Sequence, residues 1–171
     1  LGDVYKRQTL YSPDFEQDSC GFGLIAQLDD RASHWLVATA ISSLACMTHR
    51  GAIAADGKSG DGCGLLFKKP DAFLRAVAAD RGWRLNARYA AGLAFLSRDA
   101  AKAQRARDLL LKELHGQGLE PLGFRPVPTD ESALGEYAKA SLPVIEQLFV
   151  NCPDTIDAEI FERRLYIARR R

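Results

Sequence analysis

The chain lacks the features that mark several classes of protein. Its 23 Lys and Arg are balanced by 22 Asp and Glu, giving a formal net charge of +1, so no excess of one sign would attract nucleic acid or a membrane surface. No run approaches the roughly 20 apolar residues that a membrane span needs, and the start has no signal-peptide core. We therefore expect a soluble, cytoplasmic protein with neither a nucleic-acid nor a membrane partner.

Clustered cysteines are also absent. The four cysteines lie far apart and form no C-x-x-C pair: Cys20, Cys46, Cys63 and Cys152. Zinc sites and redox dithiols usually show close spacing, and small disulfide scaffolds are shorter and richer in cysteine. The histidines are equally scattered: His34, His49 and His115. The sequence therefore predicts four reduced thiols and no metal site.

Strand-like and helix-like segments alternate along the 171 residues, a length that suits one domain or a fragment of a larger one. Apolar runs predict strands at 21–28, 64–69, 90–97, 122–127 and 144–150. Capping residues and helical spacing predict helices after Ser33, from Pro70 to Ala79, from Asp99 to Gly116 or Gly118, over 132–140 and from Asp157. Residues 49–62 carry four glycines and predict a loop.

The two ends need separate treatment. The first eight residues, LGDVYKRQ, fit no element, and we leave them out of the fold as foreign or disordered. The basic end, RRLYIARRR, contains apolar residues at helical spacing. It therefore predicts the solvated face of a terminal helix, in preference to a phosphate-binding tail.

The sequence matches two nucleotide-binding motifs only in part. Gly21, Gly23 and Ala26 satisfy G-x-G-x-x-A, but a polar stretch precedes them and a predicted strand follows, whereas the dinucleotide fingerprint opens a helix. The triplet GKS at 57–59 resembles the end of a phosphate loop, yet Ala52 stands where that loop needs glycine. We expect no nucleotide site here.

Cys20 is a candidate for a functional residue, because it stands between an acid-rich stretch and Gly-Phe-Gly. An unpaired cysteine is most often a small buried apolar residue, and a nucleophile is the alternative. Thiol attack on an amide needs a base and donors for the developing oxyanion. If the chain were cut before Cys20, its own α-amine, with a pKa near roughly 7.7–8.0, would lie beside the thiol. Gly21 and Gly23 would allow close approach of substrate and backbone.

Three motifs in order carry a resemblance: YSPDFEQDSCGFG, then THRGAIAAD, then SGDGCGLLF. Together they resemble the N-terminal glutaminase domain of the glutamate synthase large chain, a class II glutamine amidotransferase of the N-terminal-nucleophile (Ntn) hydrolase superfamily. The resemblance runs from about Leu10 to the end of the chain. It implies an α+β fold, a four-layer αββα sandwich, of which this chain is the N-terminal portion. It divides the chain into a leader at 9–19 and an incomplete amidotransferase domain at 20–171.

The resemblance also assigns roles. Cys20 matches the nucleophile exposed by removal of the leader, and Arg50 matches the arginine that holds the α-carboxylate of glutamine. Without the resemblance, Arg50 would equally well be an arginine at a helix end. Gly60, Asp61 and Gly62 resemble a loop lining the glutamine pocket, although turn chemistry alone favours a surface turn. His49 is expected to be structural, and Cys63 to be a neutral replacement of the family's alanine.

The implied reaction is hydrolysis of glutamine to glutamate and ammonia, with the ammonia passed to a downstream synthase region that aminates 2-oxoglutarate. FMN and an iron-sulfur cluster are implied for the full-length protein and none for this segment. A small NAD(P)H-oxidising subunit is a further candidate partner, and the electron donor is open among NADPH, NADH and ferredoxin. The family's oxyanion-hole Asn-Gly pair is absent, because neither Asn86 nor Asn151 precedes glycine.

Two other interpretations stay open at this point. One is another class II amidotransferase, of the phosphoribosyl-pyrophosphate or glucosamine-phosphate type. The other is a non-catalytic Ntn-like module in which Cys20 is buried.

Overall fold

The computed structural model describes residues 21–47, 53–60 and 62–171. The chain divides into two compact units, Leu1–Leu66 and Phe67–Arg171, and each is described by itself. Cys20, Arg50 and Asp61 lie outside the described residues, as does His49.

The second unit is built on a three-stranded sheet. Its elements follow in the order α2 (Asp71–Ala79), β1 (Tyr89–Leu96), α3 (Ala100–Gly116), β2 (Glu120–Pro126), α4 (Glu136–Ser141), β3 (Val144–Asn151) and α5 (Ala158–Arg170). The strand order is β1-β3-β2, and β3 is antiparallel to both neighbours. β1 and β2 are therefore parallel to each other with β3 inserted between them, a split βαβ arrangement.

Both faces of this sheet carry a hydrophobic core, because successive side chains of a strand point to opposite faces. Leu148 and Val150 of β3 join a cluster with residues of α3 and α5, including the fully buried Phe161. Phe149, also fully buried, points the other way and packs with Leu74 of α2. Burying a side chain of this size contributes about 1.5–3 kcal/mol.

The two cores leave part of one sheet face open. Leu93 and Phe95 of β1 are 56% and 65% exposed. They lie further along the strand from Tyr89, which α2 covers. This uncovered stretch is the apolar part of β1 that no described element shields.

Helix ends in both units follow the predicted caps. Ser33 accepts a hydrogen bond from the backbone of Leu36 and begins α1 (His34–Cys46) in the first unit. Asp99 begins α3 and Asp157 begins α5 in the same way. Such caps satisfy backbone N–H groups that have no partner inside the helix. The helices predicted after these three residues are confirmed.

Two predicted strands are wrong. Residues 21–27 and 62–67 form no regular structure, and their large apolar side chains are exposed, with Leu66 fully so and Phe22 at 95%. An apolar run favours a strand only where a neighbouring strand supplies hydrogen-bond partners. The described residues contain no strand paired with either segment.

The remaining predicted elements are confirmed with shifted ends. β1, β2 and β3 cover the predicted runs to within about two residues, the usual uncertainty of element ends. α4 is shorter than predicted and begins at Glu136. α5 buries Phe161 and Ala168 and leaves most of its arginines in solvent, so its basic end is the solvated helix face that was predicted. None of the helices described combines the length and apolar character needed to cross a membrane.

Candidate functional site

The predicted site residues all belong to the first unit, and the structure describes only some of them. Cys20, Arg50 and Asp61 lie outside the described residues, whereas Gly21, Gly23, Gly60 and Gly62 are placed. All four described glycines are exposed. The described part of the site therefore consists of the segments that flank Cys20, Arg50 and Asp61 in the chain.

Gly23 and Gly62 have open space around them. A Cβ added at either position would meet no atom of the described residues within 4 Å, and neither has the positive φ that excludes other residues. Neither packing nor backbone conformation in the described structure therefore requires glycine there.

The end of the second motif and the start of the third form a short hairpin, residues 53–60. Ile53 and Gly60 form an antiparallel bridge, and Ala54 N–H donates to Ser59 O at 2.7 Å. At its tip, Gly57 N–H donates to Ala54 O at 2.9 Å, and Gly57 has φ +68°. The left-handed region is readily adopted by glycine, which has no Cβ. The hairpin ends at Gly60, which directly precedes Asp61 in the sequence.

A carboxylate fastens the hairpin from inside. Asp56 Oδ1 accepts from the backbone N–H of Lys58 at 3.0 Å and of Ser59 at 2.8 Å, and its Oδ2 accepts from the Ser59 hydroxyl at 2.5 Å. Hydrogen bonds to an ionised acceptor are stronger than neutral ones. Among the described residues of this unit, Ser59 is the one that is buried.

Sequence reasoning predicted residues 49–62 only as a loop and missed this hairpin. An indication was present, because Asp-Gly dipeptides favour tight turns and an Asp side chain commonly binds backbone N–H groups two residues ahead. Asp56-Gly57 is such a pair.

The two asparagines have structural partners in the second unit. Asn151 is buried; its Oδ1 accepts from Asn86 N–H at 2.9 Å and its Nδ2 donates to Arg84 O at 3.0 Å. Asn86 Nδ2 donates to Cys152 O at 3.0 Å. These bonds fasten the loop before β1 to the end of β3. Each side-chain amide therefore already donates to a backbone carbonyl.

The cysteines described here differ in exposure. Cys46 and Cys63 are exposed, and Cys152 is buried with its thiol 3.4 Å from Pro153 O; all three are free thiols. Because Cys63 is exposed, its side chain contributes little packing in this unit. Across 21–47, 53–60 and 62–171, no group of three or more His, Cys, Asp or Glu side chains is placed to hold a metal ion.

Comparison with known proteins identifies the class. A family model described as "Glutamine amidotransferases class-II" matches residues 20–171. This match covers most of the chain, so the chain belongs to the class II glutamine amidotransferases. The resemblance indicated by the three motifs is confirmed.

Curated relatives narrow the class further. The chain is similar to the "Glutamate synthase [NADPH] large chain" of Bacillus subtilis (strain 168), 34% identical over 166 residues, covering 96% of this chain and 11% of that protein. It is similar to the protein of the same name in Azospirillum brasilense, 38% identical over 163 residues, covering 94% and 11%. The "Ferredoxin-dependent glutamate synthase 2" of Synechocystis sp. (strain ATCC 27184 / PCC 6803 / Kazusa) is 37% identical over 156 residues, covering 90% and 10%.

These similarities define the domain and its setting. The chain is a class II glutamine amidotransferase domain homologous to the glutamine-hydrolysing part of glutamate synthase. It spans about a tenth of the length of these relatives. An α+β composition is also observed, with helices and a small antiparallel sheet in the second unit.

Proposed function

We propose that this chain is the N-terminal part of a glutamate synthase and that Cys20 is the nucleophile with which the longer protein hydrolyses glutamine. The observation that carries the proposal is the extent of the family match, which begins at Cys20 itself and continues to Arg171. Within this proposal, residues 9–19 are a leader removed before Cys20, residues 20–171 are part of the amidotransferase domain, and residues 1–8 belong to neither.

The thiol chemistry follows from the proposed free N-terminus. The α-amine of Cys20 takes the thiol proton, and the thiolate attacks the side-chain amide carbon of glutamine. The carbon-nitrogen bond breaks, the proton passes to the leaving group, and ammonia departs from a thioester. Water then adds to the thioester, and cleavage of the carbon-sulfur bond releases glutamate and restores the thiol.

Substrate binding is assigned to Arg50 before the hairpin, to residues 60–62 at its end, and to the two glycines that follow Cys20. Arg50 holds the α-carboxylate of glutamine, because a guanidinium donates two parallel hydrogen bonds to a carboxylate. Gly60, Asp61 and Gly62 line the glutamine pocket, and Gly21 and Gly23 leave room for substrate against the backbone. The exposure of the four glycines and the open space at Gly23 and Gly62 support this assignment.

The proposed setting is a longer chain. Ammonia passes to a downstream synthase region that aminates 2-oxoglutarate, with FMN and an iron-sulfur cluster bound there. A small NAD(P)H-oxidising subunit is a further proposed partner, and the relatives' names include both NADPH and ferredoxin as electron donors. The finer fold, a four-layer αββα sandwich, belongs to this proposal, as does a cytoplasmic location, which the free thiols of the described cysteines support.

The described residues do not fit an iron-sulfur cluster. Such a cluster is held by about four cysteine thiolates, and no group of three candidate ligands lies together in the described part of the chain. No reaction step is therefore assigned to that group within this segment.

The nucleophile is tested by covalent labelling. A glutamine analogue with an electrophilic carbon in place of the amide should label the full-length enzyme once per chain and abolish glutamine-dependent activity. Cys20→Ser should prevent labelling, whereas Cys63→Ala, which changes another cysteine of the same unit, should not. Labelling that persists in Cys20→Ser would place the reactive nucleophile at another residue, and a wild-type enzyme that is not labelled would indicate a non-catalytic module with a buried Cys20.

Maturation and substrate binding need their own measurements. Intact mass and N-terminal sequencing should place Cys20 at residue one, and an active enzyme that retains residues 9–19 would contradict the amine as base. Arg50→Lys should raise the KM for glutamine strongly and leave ammonia-dependent synthesis intact, because lysine lacks the planar fork. Unchanged glutamine kinetics would remove Arg50 from the pocket.

A further inference from the structure

We propose that the outer edge of β1 binds a further β-strand, supplied by the segment that follows α5 in the longer protein. The added strand lies antiparallel to β1 and parallel to β3, and it makes β1 an interior strand of a four-stranded sheet. The inference rests on the proposed function only in taking this chain as part of a longer protein, like the relatives of which it spans about a tenth.

The two edges of the sheet differ in their protection against further pairing. β2 has the sequence EPLGFRP, which includes an arginine and two prolines, and proline has no N–H to donate. Its pairing with β3 also shifts register between Pro121 and Gly123. Prolines, charges and bulges are the features with which natural sheets end at an edge. β2 is therefore suited to be an outer strand.

β1 has none of these features. Its eight residues, YAAGLAFL, include no proline and no charged side chain, and its pairing with β3 is regular from Tyr89 to Leu96. Among the described residues, no strand pairs with its other side. Leu93 and Phe95 of this strand are 56% and 65% exposed. A long, regular and apolar edge of this kind is a template for another strand.

The helices show how the chain crosses the sheet. β1 leads through α3 to the parallel strand β2, and this crossover passes over the inserted β3. α5 follows β3 and packs on the same face as α3, since Leu114 of α3 and Phe161 of α5 share one cluster with Leu148 and Val150 of β3. α5 is therefore placed as the helix of a second crossover, from β3 to a strand parallel to it.

The hand of the two crossovers decides where that strand lies. Crossovers between parallel strands of one sheet are right-handed in about 98% of cases. β3 runs opposite to β1, and both helices cover the same face, so two crossovers of the same hand move across the sheet in opposite directions. The first moves from β1 to β2, and the second therefore moves from β3 past β1. The free position on that side is the outer edge of β1.

A strand from the same chain is favoured over a second copy. Connections between a helix and the next strand are usually about 2–6 residues long, so the segment after α5 is held close to the sheet. A short tether of this kind gives an effective concentration in the millimolar range. A second copy binds the same edge only at its concentration in solution.

Hydrogen exchange in the full-length enzyme tests whether the edge is paired. About half of the amides of an outer strand have no strand partner, whereas nearly all amides of an interior strand are bonded. β1 should therefore keep almost all of its amide protons, as β3 does, at times when β2 has lost about half of its own. Loss of about half in β1 would overturn the inference. Protection of β1 that disappears on dilution would assign the edge to a second copy and would also overturn it.

A disulfide scan identifies the segment that occupies the edge. Leu93→Cys is combined, in the full-length enzyme, with one cysteine at a time over roughly the first 15 positions after α5, enough for a short connection and a strand. Directly opposed residues of antiparallel strands have Cα atoms about 4.5–5.5 Å apart, within the range of a disulfide. A bond should form at one position, or at that position and its neighbours two residues away on the same face.

Arg125→Cys is the matched control. Leu93 and Arg125 both lie opposite Gln147, on the two sides of β3. Three strand spacings, about 14 Å, separate Arg125 from the added strand, which is too far for a disulfide. The same cysteines should therefore form no bond with Arg125→Cys. Equal bonding to both variants would indicate random collisions of a flexible segment and would overturn the inference, as would the absence of any bond to Leu93→Cys.

The outcomes separate this inference from the proposed function. Loss of glutamine-dependent activity in Cys20→Ser, together with no bond to Leu93→Cys, would overturn the added strand and leave the proposed function standing. Full glutamine-dependent activity in Cys20→Ser, together with a bond at one register, would overturn the proposed nucleophile and leave the added strand standing.

Discussion

The phenol of Tyr89 donates a hydrogen bond to the carboxylate of Asp71 at 2.8 Å and so joins β1 to the first turn of α2. Arg75 donates from Nε to the other oxygen of Asp71 at 2.8 Å, and Lys69 lies over the Tyr89 ring. Burial and the bond to Asp71 raise the pKa of Tyr89 to about 12. The hydrogen bonds from Arg75 and Tyr89 lower the pKa of Asp71.

The first prediction is a loss of stability at high pH that depends on Tyr89. An unfolded tyrosine ionises near pH 10, and the fold favours the neutral phenol up to about pH 12. The contribution of Tyr89 to the free energy of unfolding is therefore fully present below about pH 10. It declines as the pH rises toward about 12. Tyr89→Phe should abolish this decline and lower the free energy of unfolding at neutral pH by about 1 kcal/mol.

Urea unfolding of the chain at several pH values checks this prediction. Tyr166→Phe is the control, because Tyr166 lies on the exposed side of α5 and is 56% exposed. It should retain the alkaline decline of the wild type. An alkaline decline of equal size in Tyr89→Phe would show that another group is responsible.

The second prediction concerns Gly123, where β2 has a bulge beside Trp83. Gly123 has φ +140°, and a Cβ there would lie 2.9 Å from the Trp83 ring. That ring is held in turn by Phe149, with centroids 5.9 Å apart. Gly123→Ala should therefore lower the free energy of unfolding by about 2 kcal/mol or more, through backbone strain and overpacking together.

Gly92→Ala provides the matched comparison. Gly92 lies in β1 with ordinary φ and nothing within 4 Å of an added Cβ, so its replacement should change stability by less than about 1 kcal/mol. Denaturant midpoints of both variants measure the difference. Equal midpoints would mean that Trp83 moves aside without cost.

The third prediction concerns the ion pair between α3 and β3. Arg107 donates from Nε and Nη2 to the two oxygens of Glu146, both at 2.8 Å, and both side chains are largely covered. The hydrogen bond to Glu146 raises the pKa of Arg107. Glu146→Ala should destabilise the fold by about 1.5–3 kcal/mol, because it leaves a half-buried guanidinium without its partner.

An exposed pair offers the control. Lys139 and Glu136 lie 3.2 Å apart on α4, with the Glu136 side chain in solvent, and such pairs contribute about 0–1 kcal/mol. Glu136→Ala should therefore have little effect on thermal unfolding. Equal destabilisation by both variants would show that the pairing geometry of Arg107 does not matter.

Local signals allowed much of the second unit to be predicted. Asp99 and Asp157 predict the helices that follow them, because a capping side chain binds backbone N–H groups within three residues. The apolar run at 90–97 predicts β1. The runs at 21–28 and 64–69 failed as strands because pairing depends on partners distant in the chain, which periodicity does not report. The bond between Asn151 and Asn86 spans 65 residues and was equally invisible.

For the candidate site, the order of motifs predicted the family, and the comparisons confirm it. The assignments of Cys20 and Arg50 remain predictions, because the motif says which residue types are present and not where they meet. The fastening by Asp56 was missed because an Asp-Gly pair indicates a turn without indicating which backbone groups the carboxylate will bind.

The last prediction is that the 171-residue chain alone does not hydrolyse glutamine at an appreciable rate, even when it begins at Cys20. In the family that the three motifs resemble, an Asn-Gly pair supplies the oxyanion hole. This sequence has no Asn-Gly pair. Neither of its two asparagines precedes glycine, and both amides donate to backbone carbonyls of the second unit, Asn151 to Arg84 O and Asn86 to Cys152 O. Loss of a single oxyanion donor costs about 10² to 10³ in rate.

Ammonia release from glutamine measures this directly, with residues 20–171 alone beside a chain of the relatives' length that carries the same segment. The longer chain should turn over glutamine, and its Cys20→Ser variant should not. The short chain should stay near the rate of that variant. Under denaturing conditions a general thiol reagent should count one more thiol in the short chain than in its own Cys20→Ser variant, which shows that Cys20 is present and reduced. Comparable turnover by the short and long chains would mean that donors within residues 20–171, other than the two asparagines, complete the oxyanion hole.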